Sequence, residues 1–117
     1  MQIKNNMNHK MSLRNKPFNN IKSGTKTIEL RLYDEKRKLI SVGDTITFTN
    51  IDSLEDIKVL VLDLHIYDSF EELYKHFDKA SLGYKKDELA SYKDIEEYYS
   101  KEEQSKYGVV GIEIKVG

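Results

Sequence analysis

Alternation of apolar and polar side chains predicts most of the strands in this chain. The longest example is "IKVLVLDLHIY", whose second half alternates Leu and Ile with Asp63, His65 and Tyr67. A period of two is typical of a strand with one buried face. The same reasoning gives the full set of predicted strands, which are residues 26–32, 45–50, 58–67 and 109–115, with "HKMSL" as a short fifth candidate.

Helical signals lie between these strands. "NKPFNNIKSG" has Pro in its first turn and Gly24 at its end, as helices often do. "SFEELYKHF" and "SKEEQSKYG" each begin with Ser followed by Glu in the pattern of a capping box. We expect a helix over 69–77 that packs Phe70, Leu73 and Phe77 on the sheet. Because strands and helices do not alternate as β–α–β units, the pattern favours an α+β class with a small mixed sheet or barrel.

Length and composition suit a single domain over residues 1–117, with a frayed start through residue 6. The chain is 38% hydrophobic and 33% charged, and it has no cysteine. It also lacks any apolar run near the roughly 20 residues that a membrane helix needs. We therefore expect a cytoplasmic protein that does not enter a membrane. The three histidines lack metal-ligand spacing, and the sequence predicts neither a metal site nor a cofactor.

Charge is unevenly distributed along the chain. Residues 1–40 contain ten Lys and Arg against three Asp and Glu, whereas residues 41–117 contain nine against seventeen. If the first group gathers in space, it forms a basic surface that can attract an anion such as a phosphate backbone. The alternative is that folding disperses these charges over the surface.

The stretch "GTKTIELRL" carries candidate chemistry. Read as a strand, it places Thr27, Glu29 and Arg31 on the face opposite three apolar residues, with Lys26 just before them. The fork of Arg31 can hold a phosphate or carbonyl oxygen, Lys26 can donate or act as a base, and Glu29 can accept. Two plainer interpretations remain open: Glu29 and Arg31 pair with each other on the strand, and Thr27 simply favours extended backbone.

The same stretch resembles the G-x-K-x-x-E-x-R signature of the ASCH domain family, with Gly24, Lys26, Glu29 and Arg31 in register. The segments "KPFNNIKSG", "VGDTITF", "YDSFEELY" and "YYSKEEQSKYGVVGIEI" extend the resemblance over most of residues 11–115. It implies a single ASCH domain with a PUA-like fold, which is a small β-barrel of about five strands with flanking helices. It also implies a cleft beside the barrel, lined by the signature, in a family regarded as RNA-binding.

The first functional hypothesis is therefore an ASCH-domain protein that binds RNA or a nucleoside-like small molecule. Lys16 would add a phosphate contact, and Tyr67 and Tyr107 would stack on bases because they lie where strand meets helix. Each of these three side chains also has an ordinary explanation as a solvated lysine or a packing tyrosine. The expected ligand-binding residues are Gly24, Lys26, Thr27, Glu29, Arg31, Lys16, Tyr67 and Tyr107.

The second hypothesis is a small amidohydrolase. Some family members remove the acetyl group of N4-acetylcytidine, and the chain resembles them at Lys26 but has Glu29 where their Lys-x-x-Thr supplies a hydroxyl. Lys26 and Glu29 are the candidate catalytic residues for an acylated or phosphorylated nucleoside. A third hypothesis is a protein-interaction module that uses the acidic, tyrosine-rich second half. The sequence does not identify the ligand or the oligomeric state.

Overall fold

Five strands form one sheet in the computed structural model, which describes residues 5–117. They are β1 (Asn8–Leu13), β2 (Ile28–Leu32), β3 (Thr45–Asn50), β4 (Asp56–Tyr67) and β5 (Val109–Val116). The order across the sheet is β1–β3–β4–β5–β2, with β1 parallel to β3 and all other neighbours antiparallel. The predicted α+β class and the curled sheet of about five strands are confirmed, and the shape is that of a half-barrel consistent with a small PUA-like barrel.

Four helices and one short turn connect the strands. They are α1 (Asn15–Lys22), α2 (Phe70–Tyr74), α3 (Lys93–Glu96), α4 (Lys101–Tyr107) and a 3-10 turn at Arg37–Leu39. Ser69 and Ser100 cap α2 and α4 as the sequence predicts, and Ser100 forms the full reciprocal box with Glu103. None of the helices in the described part of the chain is long and apolar enough to cross a membrane.

The helix predicted over 69–77 is shorter than expected. It ends at Tyr74, and Phe77 leaves the helical stripe to place its ring edge-on to His65, with ring centroids 5.0 Å apart. Phe77 therefore contacts β4 from the segment after α2, not from the helix itself. The expected frayed start falls mostly on residues 1–4, which lie outside the described residues.

The sheet has apolar clusters on both of its faces. The inner cluster lies between the curled sheet and α1, whereas the outer cluster lies between β2, β5 and the segment from α2 to α4. Gly111 allows the outer layer to pack closely, because a Cβ there would lie 3.0 Å from Ile28 Cγ2 and 3.3 Å from Leu73 Cδ1. The buried residues of the inner cluster include Phe18, Ile21, Ile46, Phe48 and Ile112, and those of the outer cluster include Ile28, Leu30, Leu32, Phe70 and Leu73.

The polar face of β2 is the inner face of the half-barrel. Glu29 pairs across the strands with Ile112, and Arg31 pairs with Val110, so their side chains share the side of the inner cluster. Because β1 and β2 are the two edge strands, this polar face lies at the open seam of the sheet. Arg31 Nη2 crosses the seam and donates to the carbonyl of Ser12 on β1 at 3.0 Å.

Candidate ligand-binding site

Three charged side chains of the signature meet at this seam and are called here the triad: Lys26, Glu29 and Arg31. Glu29 Oε2 lies 2.8 Å from both Nε and Nη2 of Arg31, and Glu29 Oε1 lies 3.6 Å from Lys26 Nζ. Lys26 reaches the inner face although it precedes the strand, because the chain turns at Gly24 (φ +83°) and the Lys26 N–H bonds to the carbonyl of Asn20. Helix, turn and strand together therefore fix the triad.

Burial makes the triad costly unless its charges compensate one another. Only 8% of Lys26 and 4% of Glu29 is exposed. Burial acts to lower the pKa of Arg31, but the neighbouring groups, with the Glu29 carboxylate first and Tyr99 and Asp34 after it, together outweigh burial and raise that pKa, so the guanidinium remains charged. Lys26 Nζ also donates to the carbonyl of Leu82 at 3.2 Å. One carboxylate between two cations leaves an excess of one positive charge.

A cavity of about 640 Å³ opens beside the triad. One wall is the connection from β1 to α1, and the other is the mostly irregular segment 82–99, which includes α3, with the end of α2. This volume is within the usual range for small-molecule sites. Besides the triad, the lining residues include Ser12, Arg14, Lys16, Pro17, Tyr74, Leu82, Tyr84, Glu88, Asp94, Tyr98 and Tyr99.

Charges of both signs face this cavity. The basic residues Arg14 and Lys16 lie on one wall, and the acidic residues Glu88, Asp94 and Glu97 come from the other. Lys16 Nζ lies 3.1 Å from a Glu88 oxygen, and hydrogen bonds from the Lys85 N–H and from Lys16 lower the pKa of Glu88. The basic first third of the chain thus meets carboxylates from the acidic second half, and the lining is balanced rather than purely basic.

A family model described as ASCH domain matches residues 11–117. The chain belongs to the ASCH domain family. It is similar to hypothetical protein PH0355 in a crystal structure, with 34% identity, a TM-score of 0.80, and coverage of 95% of this chain and 100% of that one. It is also similar to protein PF0455 from Pyrococcus furiosus in a solution NMR structure, with 35% identity, a TM-score of 0.68, and coverage of 94% and 97%. No curated protein matches the chain.

The cavity of this ASCH domain brings together only some of the residues that the sequence suggested. Lys16 lines it with the triad, whereas Gly24 and Thr27 do not. Gly24 supplies the turn before β2. Thr27 is half-buried, and its backbone bonds to the carbonyl of Ser81 and to the N–H of Ile114.

Tyr67 and Tyr107 also lie away from the cavity. Tyr67 stacks on His76, with ring centroids 4.9 Å apart, and Lys106 Nζ lies 5.0 Å from the centroid of the Tyr107 ring. Both tyrosines pack against the outer cluster. The position where a strand meets a helix therefore did not indicate which tyrosines face the triad.

Four other tyrosines of this ASCH domain line the cavity: Tyr74, Tyr84, Tyr98 and Tyr99. The Tyr84 hydroxyl lies 2.9 Å from the Tyr74 hydroxyl and 2.8 Å from Asp94 Oδ2. Burial, followed by these hydrogen bonds, raises the pKa of Tyr84 far above its ordinary value. The concentration of tyrosine between residues 74 and 99 was the available signal, although the irregular segment has no periodicity that would assign directions.

One group of side chains elsewhere has the composition of a metal site. Donor atoms of Asp63, His65 and Glu113 all lie within 4.8 Å of one another on β4 and β5. His65 Nε2 is already hydrogen-bonded to Glu113 Oε1 at 2.9 Å. The spacing of the histidines did not reveal this group, because Glu113 comes from the neighbouring strand. These residues could hold a divalent ion, but they lie outside the cavity lining.

Proposed function

We propose that the cavity of this ASCH domain binds RNA or a nucleotide-like ligand through the triad. The observation that carries the proposal is a buried group of three charges with unused hydrogen-bonding atoms beside a cavity of about 640 Å³. Charges that serve only the fold are expected to be fully paired.

The unused atoms follow from the hydrogen bonds. Within residues 5–117, the one fully buried side-chain nitrogen or oxygen without a partner is Arg37 Nε. Arg31 Nη1 donates no hydrogen bond and Glu29 Oε1 accepts none in this part of the chain, and both side chains line the cavity. All three residues of the triad line the cavity, so a ligand in the cavity can contact them.

These atoms match the chemistry of a nucleotide. Arg31 and Lys26 can donate to a carbonyl or phosphoryl oxygen, and Glu29 can accept from an exocyclic amine of a base. Lys16 at the mouth can exchange its contact with Glu88 for a phosphate, since an exposed ion pair contributes little stability. The tyrosine rings of the opposite wall can stack on a base.

A hydrolytic function is the second candidate, supported by a buried lysine beside a carboxylate in the cavity. Because Thr27 is not part of the lining, Glu29 would take a proton from an attacking water and Lys26 would stabilise the developing oxyanion. Glu29 would then pass the proton to the leaving N4 amine as the C–N bond breaks and acetate is released. Release of acetate from N4-acetylcytidine tests this activity. A cytoplasmic location and a protein partner for the acidic second half stay predictions.

The binding proposal is tested with Lys26→Ala and Arg31→Ala, using cytidine 5′-monophosphate as the probe in calorimetric titrations. Each variant loses a charge-assisted hydrogen bond, so we expect affinity to fall about tenfold to a hundredfold. Lys22→Ala is the matched control, since Lys22 is exposed and pairs with Glu55 outside the cavity. Unchanged affinity in both triad variants, with melting curves that show folded protein, would contradict the proposal.

A further inference from the structure

The hydroxyl of Tyr99 is the most informative polar group of the cavity outside the triad. Its ring is held in place by stacking on Phe70, with centroids 5.7 Å apart and planes 27° from parallel. Its carbonyl accepts from Gln104 Nε2 at 3.2 Å, and Gln104 Oε1 accepts from the Phe70 N–H at 2.9 Å. Gln104 is only 2% exposed, so this support is rigid. Tyr99 is therefore a fixed part of the wall.

The Tyr99 hydroxyl has no hydrogen-bond partner among residues 5–117, and it is not one of the fully buried atoms. Tyr99 lines the cavity, and the hydroxyl is the polar group that its side chain carries there. Tyr84 provides the contrast, because its hydroxyl is already engaged by Tyr74, Asp94 and the carbonyl of Ser91. Tyr84 holds the wall together, whereas Tyr99 has its hydroxyl available for a ligand.

Electrostatics keep the Tyr99 hydroxyl a donor. Burial raises the pKa of Tyr99, and the charge of Arg31 opposes burial without reversing it. The phenol therefore stays protonated at neutral pH. The mutual electrostatic influence of Arg31 and Tyr99 also agrees with their common position in the lining, where Arg31 Nη1 is a charged donor without a hydrogen-bond partner among the described residues.

We propose that the Tyr99 hydroxyl and Arg31 Nη1 form one subsite that binds a carbonyl or phosphoryl oxygen of the ligand. Two donors that line the same cavity, one of them charged, suit an oxygen acceptor and disfavour an amine between them. The inference rests on the proposed binding function and adds to it the residue that selects this oxygen. Tyr99 is thus a specificity residue contributed by the segment before α4, at a distance in sequence from the signature.

Tyr99→Phe tests this subsite, because it removes only the hydroxyl and keeps the ring on Phe70. Affinities for cytidine 5′-monophosphate and for cytidine are measured by calorimetric titration. We expect Tyr99→Phe to weaken binding of the monophosphate about threefold to tenfold, the usual effect of one hydrogen bond. Tyr92→Phe is the matched control, because Tyr92 lies in the same segment but outside this cavity.

The two probes identify the oxygen. Weaker binding of the monophosphate alone supports a phosphoryl oxygen in the subsite, and equal weakening for both probes supports a carbonyl oxygen of the base. If the parent protein binds the monophosphate and Tyr99→Phe binds both probes as tightly as Tyr92→Phe does, the subsite is wrong while the binding function stands. If the parent protein binds neither probe at millimolar concentration, the binding function fails and the subsite fails with it.

Discussion

Two buried carboxylates of this ASCH domain, Asp44 and Glu29, differ in how completely they are hydrogen-bonded. Asp44 is 2% exposed, and Glu29 is 4% exposed. Asp44 Oδ1 accepts from the Met7 N–H at 3.0 Å, and Oδ2 accepts from the Ser41 N–H at 2.9 Å and from His9 Nε2 at 2.8 Å. Both oxygens are therefore used by the fold. Glu29 Oε2 is bonded to Arg31, whereas Glu29 Oε1 has only an ion pair at 3.6 Å.

This difference shows that burial of a charge does not by itself indicate function. Asp44 ties the start of β1 to the turn before β3, and it does not line the cavity beside the triad. Glu29 lines that cavity, and its Oε1 accepts no hydrogen bond among the described residues. Hydrogen-bond saturation and the neighbouring empty space together distinguish a structural carboxylate from a candidate binding carboxylate.

The largest expected effect is on stability at Asp44. Asp44→Ala leaves the N–H groups of Met7 and Ser41 and the ring of His9 without their buried acceptor, so the free energy of unfolding should fall by about 3–5 kcal/mol. Glu29→Ala should cost less, because Lys26 and Arg31 can be hydrated from the cavity. Urea denaturation of both variants measures the difference. A larger loss in Glu29→Ala than in Asp44→Ala would reverse the comparison.

Much of the fold could be predicted because its signals are local. The strand at 45–50 matches β3, and the capping serines mark the first turns of α2 and α4. The end of α2 was missed because it depends on where Phe77 finds an aromatic partner on β4. Local periodicity carries no information about such a long-range contact.

The site was only partly predictable for the same reason. Alternation separates Glu29 and Arg31 from the apolar face of β2, but it does not reveal that this polar face lies inside the half-barrel at an open seam. That fact depends on strand order. Likewise, Tyr99 reaches the triad because α4 and Gln104 hold its segment there, which no spacing in the sequence encodes.

A smaller loss of stability is expected at Gly83. This residue affects the position of Lys26 in the triad, not the hydrogen bonds of Glu29. Gly83 has φ +101°, and a Cβ there would lie 3.1 Å from Lys26 Cδ. Gly83→Ala should therefore cost about 1–3 kcal/mol in backbone strain and also weaken binding of cytidine 5′-monophosphate by displacing Lys26. Gly24→Ala separates the two effects, because Gly24 has φ +83° but open space around its Cβ position.

The two glycine variants should lose similar stability, as measured by urea denaturation. In addition to this loss of stability, Gly83→Ala should bind cytidine 5′-monophosphate more weakly, whereas Gly24→Ala should bind it as the parent protein does. Equal loss of affinity in both variants would instead indicate that the ligand contacts Gly24 itself, as the signature match suggested. Full affinity in a folded Gly83→Ala protein would show that the position of Lys26 does not matter for binding.

The smallest expected effect is on how stability changes with pH, because the hydrogen bonds that Asp44 accepts alter the pKa of its carboxyl group. Burial alone would raise the pKa of Asp44, but hydrogen bonds from His9 and from the N–H groups of Met7 and Ser41 outweigh burial and lower it. A carboxyl whose pKa is lower in the folded state stabilises the fold above its unfolded pKa, about 3.9, and this contribution is lost as pH falls through that value toward the folded pKa.

The difference in unfolding free energy between the parent protein and Asp44→Asn isolates this contribution, because the other carboxyl groups are common to both. The difference should shrink as pH falls below about pH 4, since only the parent protein must protonate Asp44 there. Urea denaturation at a series of pH values measures it. A difference that stays constant, or grows, as the solution becomes more acidic would show that hydrogen bonding does not hold the Asp44 carboxylate in its charged form.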